Sequence, residues 1–252
     1  RLNILNDYVD YFVIVEGNKT WQNNPKNLRF DIDKFSKFKK KIIYIPVEDM
    51  PGGNDPYLRE NFQRNSISRG LGLAAKDDLI IISDLDEIPN PKNIIKFKKN
   101  MKYAVFKQSH YYYKINLQST FNPHWYGSRI CVKNFLKSPQ WLRNLKFKKR
   151  PFWRIDKIRL NNIIENGGWH FCNLKNAEQL LYKYKNLCET NDPYHFKEKI
   201  DEKFLDLESI KEKIVLGEDI IGRNEKYTKK KLDNTFPTYI YNNKDKYIDW
   251  IV

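Results

Sequence analysis

Apolar residues gather in short blocks between charged and turn-forming stretches, and the period within each block predicts the elements. Residues 9–17 (Val-Asp-Tyr-Phe-Val-Ile-Val-Glu-Gly) and 41–47 (Lys-Ile-Ile-Tyr-Ile-Pro-Val) are β-rich runs that read as buried strands. The turn-rich Met50 to Asn54 leads into Asp55-Pro56, a cap followed by a residue suited to the first helical position. From there 57–75 reads as a helix, with Leu58, Phe62 and Leu71 among its apolar positions and Arg59, Arg64 and Arg69 among its polar ones. Residues 78–89 form an apolar strand that runs straight into Asp84, Asp86 and Glu87 and stops at Pro89. The order strand, strand, helix, strand predicts an α/β fold with a mixed, mainly parallel sheet flanked by helices, where ligands bind beyond the carboxyl ends of the strands.

Further on, 91–100 reads as a short helix and the aromatic-rich 103–115 as a strand. Segments 128–133 and 152–160 look extended; 176–188 reads as a helix with Leu180, Leu181, Tyr184 and Leu187 on one side, and 201–216 as another. No repeat or Gly/Ser linker divides the chain, so one domain over 1–252 is expected. Residues 200–252 form a C-terminal extension with helical character, docking through Phe236, Ile240, Tyr247 and Trp250.

Charge changes the picture only partly. Lys and Arg number 46 against 31 Asp and Glu, a net +15 spread over lysine runs such as Lys37 to Lys41. Nucleic acid is the first partner such a charge suggests, yet no zinc-finger spacing or RNP-like strand accompanies it, and a basic surface suits a diphosphate equally. No uncharged run approaches the roughly 20 residues that span a bilayer. The chain opens at Arg1 with neither Met nor a charged-then-apolar leader, which leaves localisation open: cytoplasmic for a bacterial or viral source, Golgi lumen for a eukaryotic one with an anchor removed. Cys131, Cys172 and Cys188 read as reduced thiols.

Two constellations carry chemistry. In an extended segment Asp84 and Asp86 share parity and project to one side, so both carboxylates can converge on one hard cation, Mg²⁺ or Mn²⁺, which would neutralise charge on a diphosphate leaving group. The alternative is that these acids cap the next helix. The second constellation is Asn166-Gly167-Gly168-Trp169-His170-Phe171, where paired glycines permit close backbone approach to a ligand and His170 could complete a metal shell, unless it is a satisfied structural histidine.

Taken together, Val9-Asp10-Tyr11-Phe12-Val13-Ile14-Val15-Glu16, Arg59-Glu60-Asn61-Phe62-Gln63-Arg64-Asn65, Ile82-Ser83-Asp84-Leu85-Asp86-Glu87-Ile88-Pro89 and Gly167-Gly168-Trp169-His170-Phe171 resemble glycosyltransferase family 17, in the family's order and over roughly residues 1 to 200. The resemblance implies a GT-A-like (Rossmann-like) fold and an inverting transferase that moves a sugar, N-acetylglucosamine, from a UDP-sugar donor to a glycan acceptor. It further implies Mn²⁺ or Mg²⁺ at the Asp-x-Asp motif. Asp86 is then the metal ligand, Asp84 touches the metal through water or the ribose, and His170 is the third ligand. Glu16 and Trp169 fall on the donor side. Arg64 reaches the diphosphate or pairs with Glu60 one turn back. Glu165, or else Glu87, serves as the catalytic base, and Trp125, Tyr126 and Trp169 are candidates for sugar stacking.

The chain departs from the family pattern in three places. A strand and helix are expected upstream of Arg1. Cys172 stands where Ser is expected, and the family's Ser-Phe-x-His-like segment survives loosely as Asn191-Asp192-Pro193-Tyr194-His195. Acceptor recognition is therefore the least defined part. Two rival classes remain: a phosphatase of the haloacid dehalogenase type, which would want a small residue where Ile88 stands, and a basic nucleic-acid-binding module.

Overall fold

A computed structural model describes residues 1–146, 160, 162–186, 206–221 and 225–252. A short α1 (Leu2–Leu5) precedes β1 (Phe12–Gly17), which pairs in parallel with β2 (Ile42–Val47). As the Asp-Pro pair predicts, the Asp55 carboxylate accepts the Tyr57 N–H at 2.9 Å and Pro56 opens α2 (Pro56–Asn65). The α-helix is shorter than expected. It tightens into a 3₁₀ turn over Ser66–Gly70, where serines and a glycine weaken helix propensity and Gly70 lies against the Val13 side chain. Arg59, read from sequence as a polar position, is 1 % exposed and donates to the carbonyls of Trp21, Gly52 and Gly53, tying the loop before the helix to its base.

The second sheet holds β3 (Leu79–Ile82), β4 (Glu87–Pro89), β5 (Tyr103–Tyr112), β6 (Leu117–Ser119), β7 (His124–Val132), β8 (Ile163–Cys172) and β9 (Tyr227–Lys229). Its path is β3-β7-β5-β6-β9, with β8 pairing β4 and β5. This corrects the expected architecture. The large sheet is mostly antiparallel, its parallel pairing being β5 with β8, and the other parallel pair, β1 with β2, forms a separate small sheet. The apolar runs report burial on both faces, which parallel sheets produce but antiparallel ones also reach when covered on both sides. Nor does α2 complete a βαβ unit, because β3 enters the other sheet and pairs antiparallel with β7, Ile81 opposite Ile130.

Short helices cover the sheets: α3 (Pro91–Ile94), α4 (Pro139–Asn144), α5 (Ala177–Asn186), α6 (Leu207–Leu216) and α7 (Thr238–Tyr241). Leu180 and Tyr184 of α5 are buried with Ile210 of α6 and Tyr227, as the apolar side of α5 predicts. In the tail, Phe236 and Ile240 pack with Tyr111, Trp169 and Phe171, and Tyr247 and Trp250 lie against that cluster. Cys131 is buried and Cys172 half-buried, neither in a disulfide. The segment 152–160, expected to be extended, lies outside the described residues except for Leu160, as do Leu187, Cys188 and the 191–195 motif. No helix among the described residues is long and apolar enough to cross a membrane.

Candidate functional site

The acids do not sit on one extended segment. β3 ends at Ile82, and a turn closed by the Glu87 N–H to the Asp84 carbonyl at 3.1 Å brings the chain into β4, where Glu87 pairs with His170. Parity is lost in the turn, so Asp84 and Asp86 meet different partners.

Asp84 faces two guanidinium groups. Arg143 on α4 reaches its Oδ2 at 2.8 Å and Arg64 on α2 its Oδ1 at 3.2 Å. Arg64 also pairs with Glu60 at 2.7 Å, the turn-back pairing weighed from sequence, and donates to Gln140. Beneath them Glu87 is 0 % exposed. Its carboxylate accepts both Arg143 terminal nitrogens, Trp125 Nε1 at 2.7 Å, Ser128 Oγ at 3.2 Å and the Asp84 N–H at 3.2 Å. Burial alone would lower the Arg143 pKa, but Glu87 and Asp84 outweigh it and raise it. With its oxygens committed to these donors, Glu87 anchors Trp125, Arg143 and the acidic turn.

Asp86 turns the other way. Its Oδ1 is 3.5 Å from His170 Nε2, and its carbonyl accepts the Phe171 N–H. Burial would lower the His170 pKa; hydrogen bonding to Asp86 and Cys172 outweighs it and raises the imidazole to about 10. Burial would raise Asp86, and the imidazole brings it below the usual carboxylate value. His170 stacks on His110 of the neighbouring strand, centroids 4.7 Å apart, and Trp125 lies 5.0 Å from it. A divalent cation, were one bound here, would be held by the Asp86 carboxylate and His170 Nε2, which lie 3.5 Å apart. Asp84, committed to arginines, is not brought into that set. Among the described residues the ligand atoms that do cluster in a group of three, within 4.8 Å, are those of His110, His170 and Cys172.

Other expected site residues lie elsewhere. Glu165 is 59 % exposed and pairs with Lys107 at 3.0 Å. It precedes the irregular stretch at Gly167 and Gly168, where the register of β8 against β5 shifts, and His170 follows that stretch. Glu16 latches a loop: it accepts the Arg29 and Phe30 N–H groups, Lys26 Nζ and the Tyr44 hydroxyl. Burial would raise its pKa, but the Phe30 and Arg29 amides and Lys26 bring it down. Trp169 is buried, its indole N–H donating to the Thr235 carbonyl at 3.0 Å and so pinning the tail. Gly167 and Gly168 admit neighbouring strands rather than a ligand. A Cβ on Gly167 would meet Lys107 N at 2.6 Å, and one on Gly168, at φ +128°, would meet Asn90 N at 2.6 Å.

Trp125 separates two clefts of about 430 Å³ each. One is lined by His110, His124 and Tyr126 among others; the other lies between α2 and α4 above Asp84. Arg143 and Gln140, central to the second, were missed from sequence because α4 is only six residues long. The available signal was Ser138-Pro139, a cap and first turn whose Ser138 Oγ accepts the Trp141 N–H at 3.1 Å.

Comparison with known proteins agrees with the motif reading. The human β-1,4-mannosyl-glycoprotein 4-β-N-acetylglucosaminyltransferase is 32% identical over 109 residues, covering 39% of this chain and 20% of that protein. The rat protein of the same name gives 32% and the mouse one 31% over the same length. The aligned stretch thus spans about a fifth of these curated relatives. No solved structure matches the chain. The profile of glycosyltransferase family 17 matches residues 1–240, and with the acidic turn and its paired histidine in the places described, the chain belongs to that family.

Proposed function

We propose that this chain transfers N-acetylglucosamine from UDP-N-acetylglucosamine to a glycan hydroxyl, inverting the anomeric carbon with a divalent cation bound at Asp86 and His170. Membership of glycosyltransferase family 17 and the activity named for the mammalian relatives support the sugar transferred. The observation that carries the site is the Asp86–His170 pair at 3.5 Å, presented on the turn between β3 and β4 and on β8.

When bound, the cation supplies positive charge to the leaving diphosphate. The chain's own residues do the rest. Against the lowering effect of burial, the Asp86 carboxylate raises the His170 imidazole to about 10, so a proton would compete with a cation for His170 Nε2. Glu87 fixes the Trp125 ring and Arg143, so that the ground around the reacting sugar is set before substrate arrives. The acceptor hydroxyl gives up its proton to a carboxylate. Glu87 is closed off by its donors, and the carboxylates that open on a cleft or on solvent are Glu165, Glu225 of the His124 cleft, and Asp84 and Glu60 of the α2–α4 cleft.

Calorimetric titration of UDP-N-acetylglucosamine with Mn²⁺, with EDTA, and into Asp86→Asn tests this reading. Binding that requires both the cation and Asp86 is expected. Donor binding indifferent to EDTA and to Asp86→Asn would remove the metal assignment. Absence of donor binding by a folded protein would remove the donor, and the phosphatase and nucleic-acid readings would return.

A further inference from the structure

The α2–α4 cleft is lined mostly by polar side chains, and its charged groups are paired with one another. On α2, Tyr57, Glu60, Asn61 and Arg64 follow i, i+3, i+4, i+7 spacing and form one stripe; on α4, Gln140, Arg143 and Asn144 follow i, i+3, i+4. Polar stripes at this spacing ordinarily face solvent, whereas here both line a cleft of about 430 Å³, within the range of about 300–1,000 Å³ of small-ligand sites. Its ionic side chains are two guanidiniums, Arg64 and Arg143, and two carboxylates, Glu60 and Asp84, paired with one another. A diphosphate entering it would find no net positive charge and would have to break those pairs. A neutral ligand with many hydroxyls would not, because each pair keeps lone pairs and N–H groups for in-plane hydrogen bonds. Amides add more: Gln140 links Arg64 to the Asn144 side chain at 2.9 Å, and Asn61 stands beside them. Trp125 closes one wall, 37 % exposed with its indole N–H held by Glu87, a rigid apolar platform of the kind a pyranose ring covers.

We propose that this cleft binds one neutral pyranose ring of the acceptor, with Tyr57, Asn61 and Trp125 as its recognition groups. The proposal rests on the transferase reading above, and its test keeps the two apart. ¹⁵N-indole spectra, with the Trp125 signal assigned by its loss in Trp125→Phe, are recorded during titration with methyl β-mannopyranoside, methyl β-glucopyranoside and methyl β-galactopyranoside, and with inorganic pyrophosphate as charged comparator. At least one pyranoside should move the Trp125 signal saturably, and Tyr57→Ala and Asn61→Ala should each weaken that binding about tenfold, the equivalent of one lost contact. Pyrophosphate should leave the signal in place. A shift produced by pyrophosphate and by no pyranoside would overturn the proposal. So would pyranoside binding unaffected by Tyr57→Ala and Asn61→Ala, which would place the sugar in the His124 cleft. A UDP-N-acetylglucosamine titration on the same samples is read independently. Donor binding without pyranoside binding sinks the acceptor subsite and leaves the transferase reading standing; the reverse result does the opposite.

Discussion

Replacing Glu87 by Gln should be among the most destabilising isosteric changes open to this protein. The side chain is 1 % exposed and accepts from Arg143 twice, from Trp125, from Ser128 and from the Asp84 amide. Gln keeps the shape but removes the charge beneath Arg143 and turns one acceptor into an N–H₂ group facing other donors. Breaking a buried ion pair costs about 3–5 kcal/mol, and a stranded donor about 1–3 kcal/mol. Because Arg143 retains Asp84 at 2.8 Å, the low ends apply, about 4 kcal/mol in all. For a chain of this size that is a fall of about 8–16 °C in Tm. Urea unfolding followed by tryptophan fluorescence measures it, with the slope unchanged and the midpoint lowered. Asp84→Asn, at a side chain 40 % exposed, should cost no more than about 1 kcal/mol. A Glu87→Gln loss within about 0.5 kcal/mol, the scatter of ordinary surface substitutions, would refute the anchoring role.

Other outcomes follow from the same geometry. The His170 pKa lies near 10 against 6.5 unfolded, so its contribution to stability is complete below 6.5 and lost as pH rises toward 10. Asp86, held below its ordinary value, contributes above that value and loses the contribution in acid. Urea midpoints across that span should decline at the alkaline end, and His170→Gln should flatten the decline. If His170 is a ligand, Mn²⁺ titrated near neutrality in buffers of different ionisation enthalpy should release about one proton per ion, and no release would exclude it. Gly168→Ala, at φ +128° with its Cβ aimed at the Ile88 carbonyl, should cost about 3 kcal/mol by thermal unfolding. Gly52→Ala, which meets nothing within 4 Å, serves as the tolerant control.

The extent to which this molecule was legible from its sequence differs from element to element, for physical reasons. Runs of β-branched residues, the Asp55-Pro56 start and the apolar side of α5 are local signals, and each gave an element close to its observed place. Motif order was enough to identify the family. Strand direction was not legible, because an apolar run such as Tyr103–Tyr112 is buried the same way whether its neighbour runs parallel or antiparallel, and β5 has neighbours of both kinds. Nor was the division of labour among the acids. Asp84, Asp86 and Glu87 are adjacent in the chain, but the turn after β3 sends one to two arginines, one to a histidine and one into the interior. Their partners Arg64, Arg143 and His170 come from α2, α4 and β8, separated from them by 20, 59 and 84 residues, and no local pattern encodes such pairings. The sequence by itself determined which chemistry-bearing side chains are present and the order in which they come. Only the tertiary structure decided which of them meet, because partnership depends on how distant elements pack, and packing is a property of the whole chain.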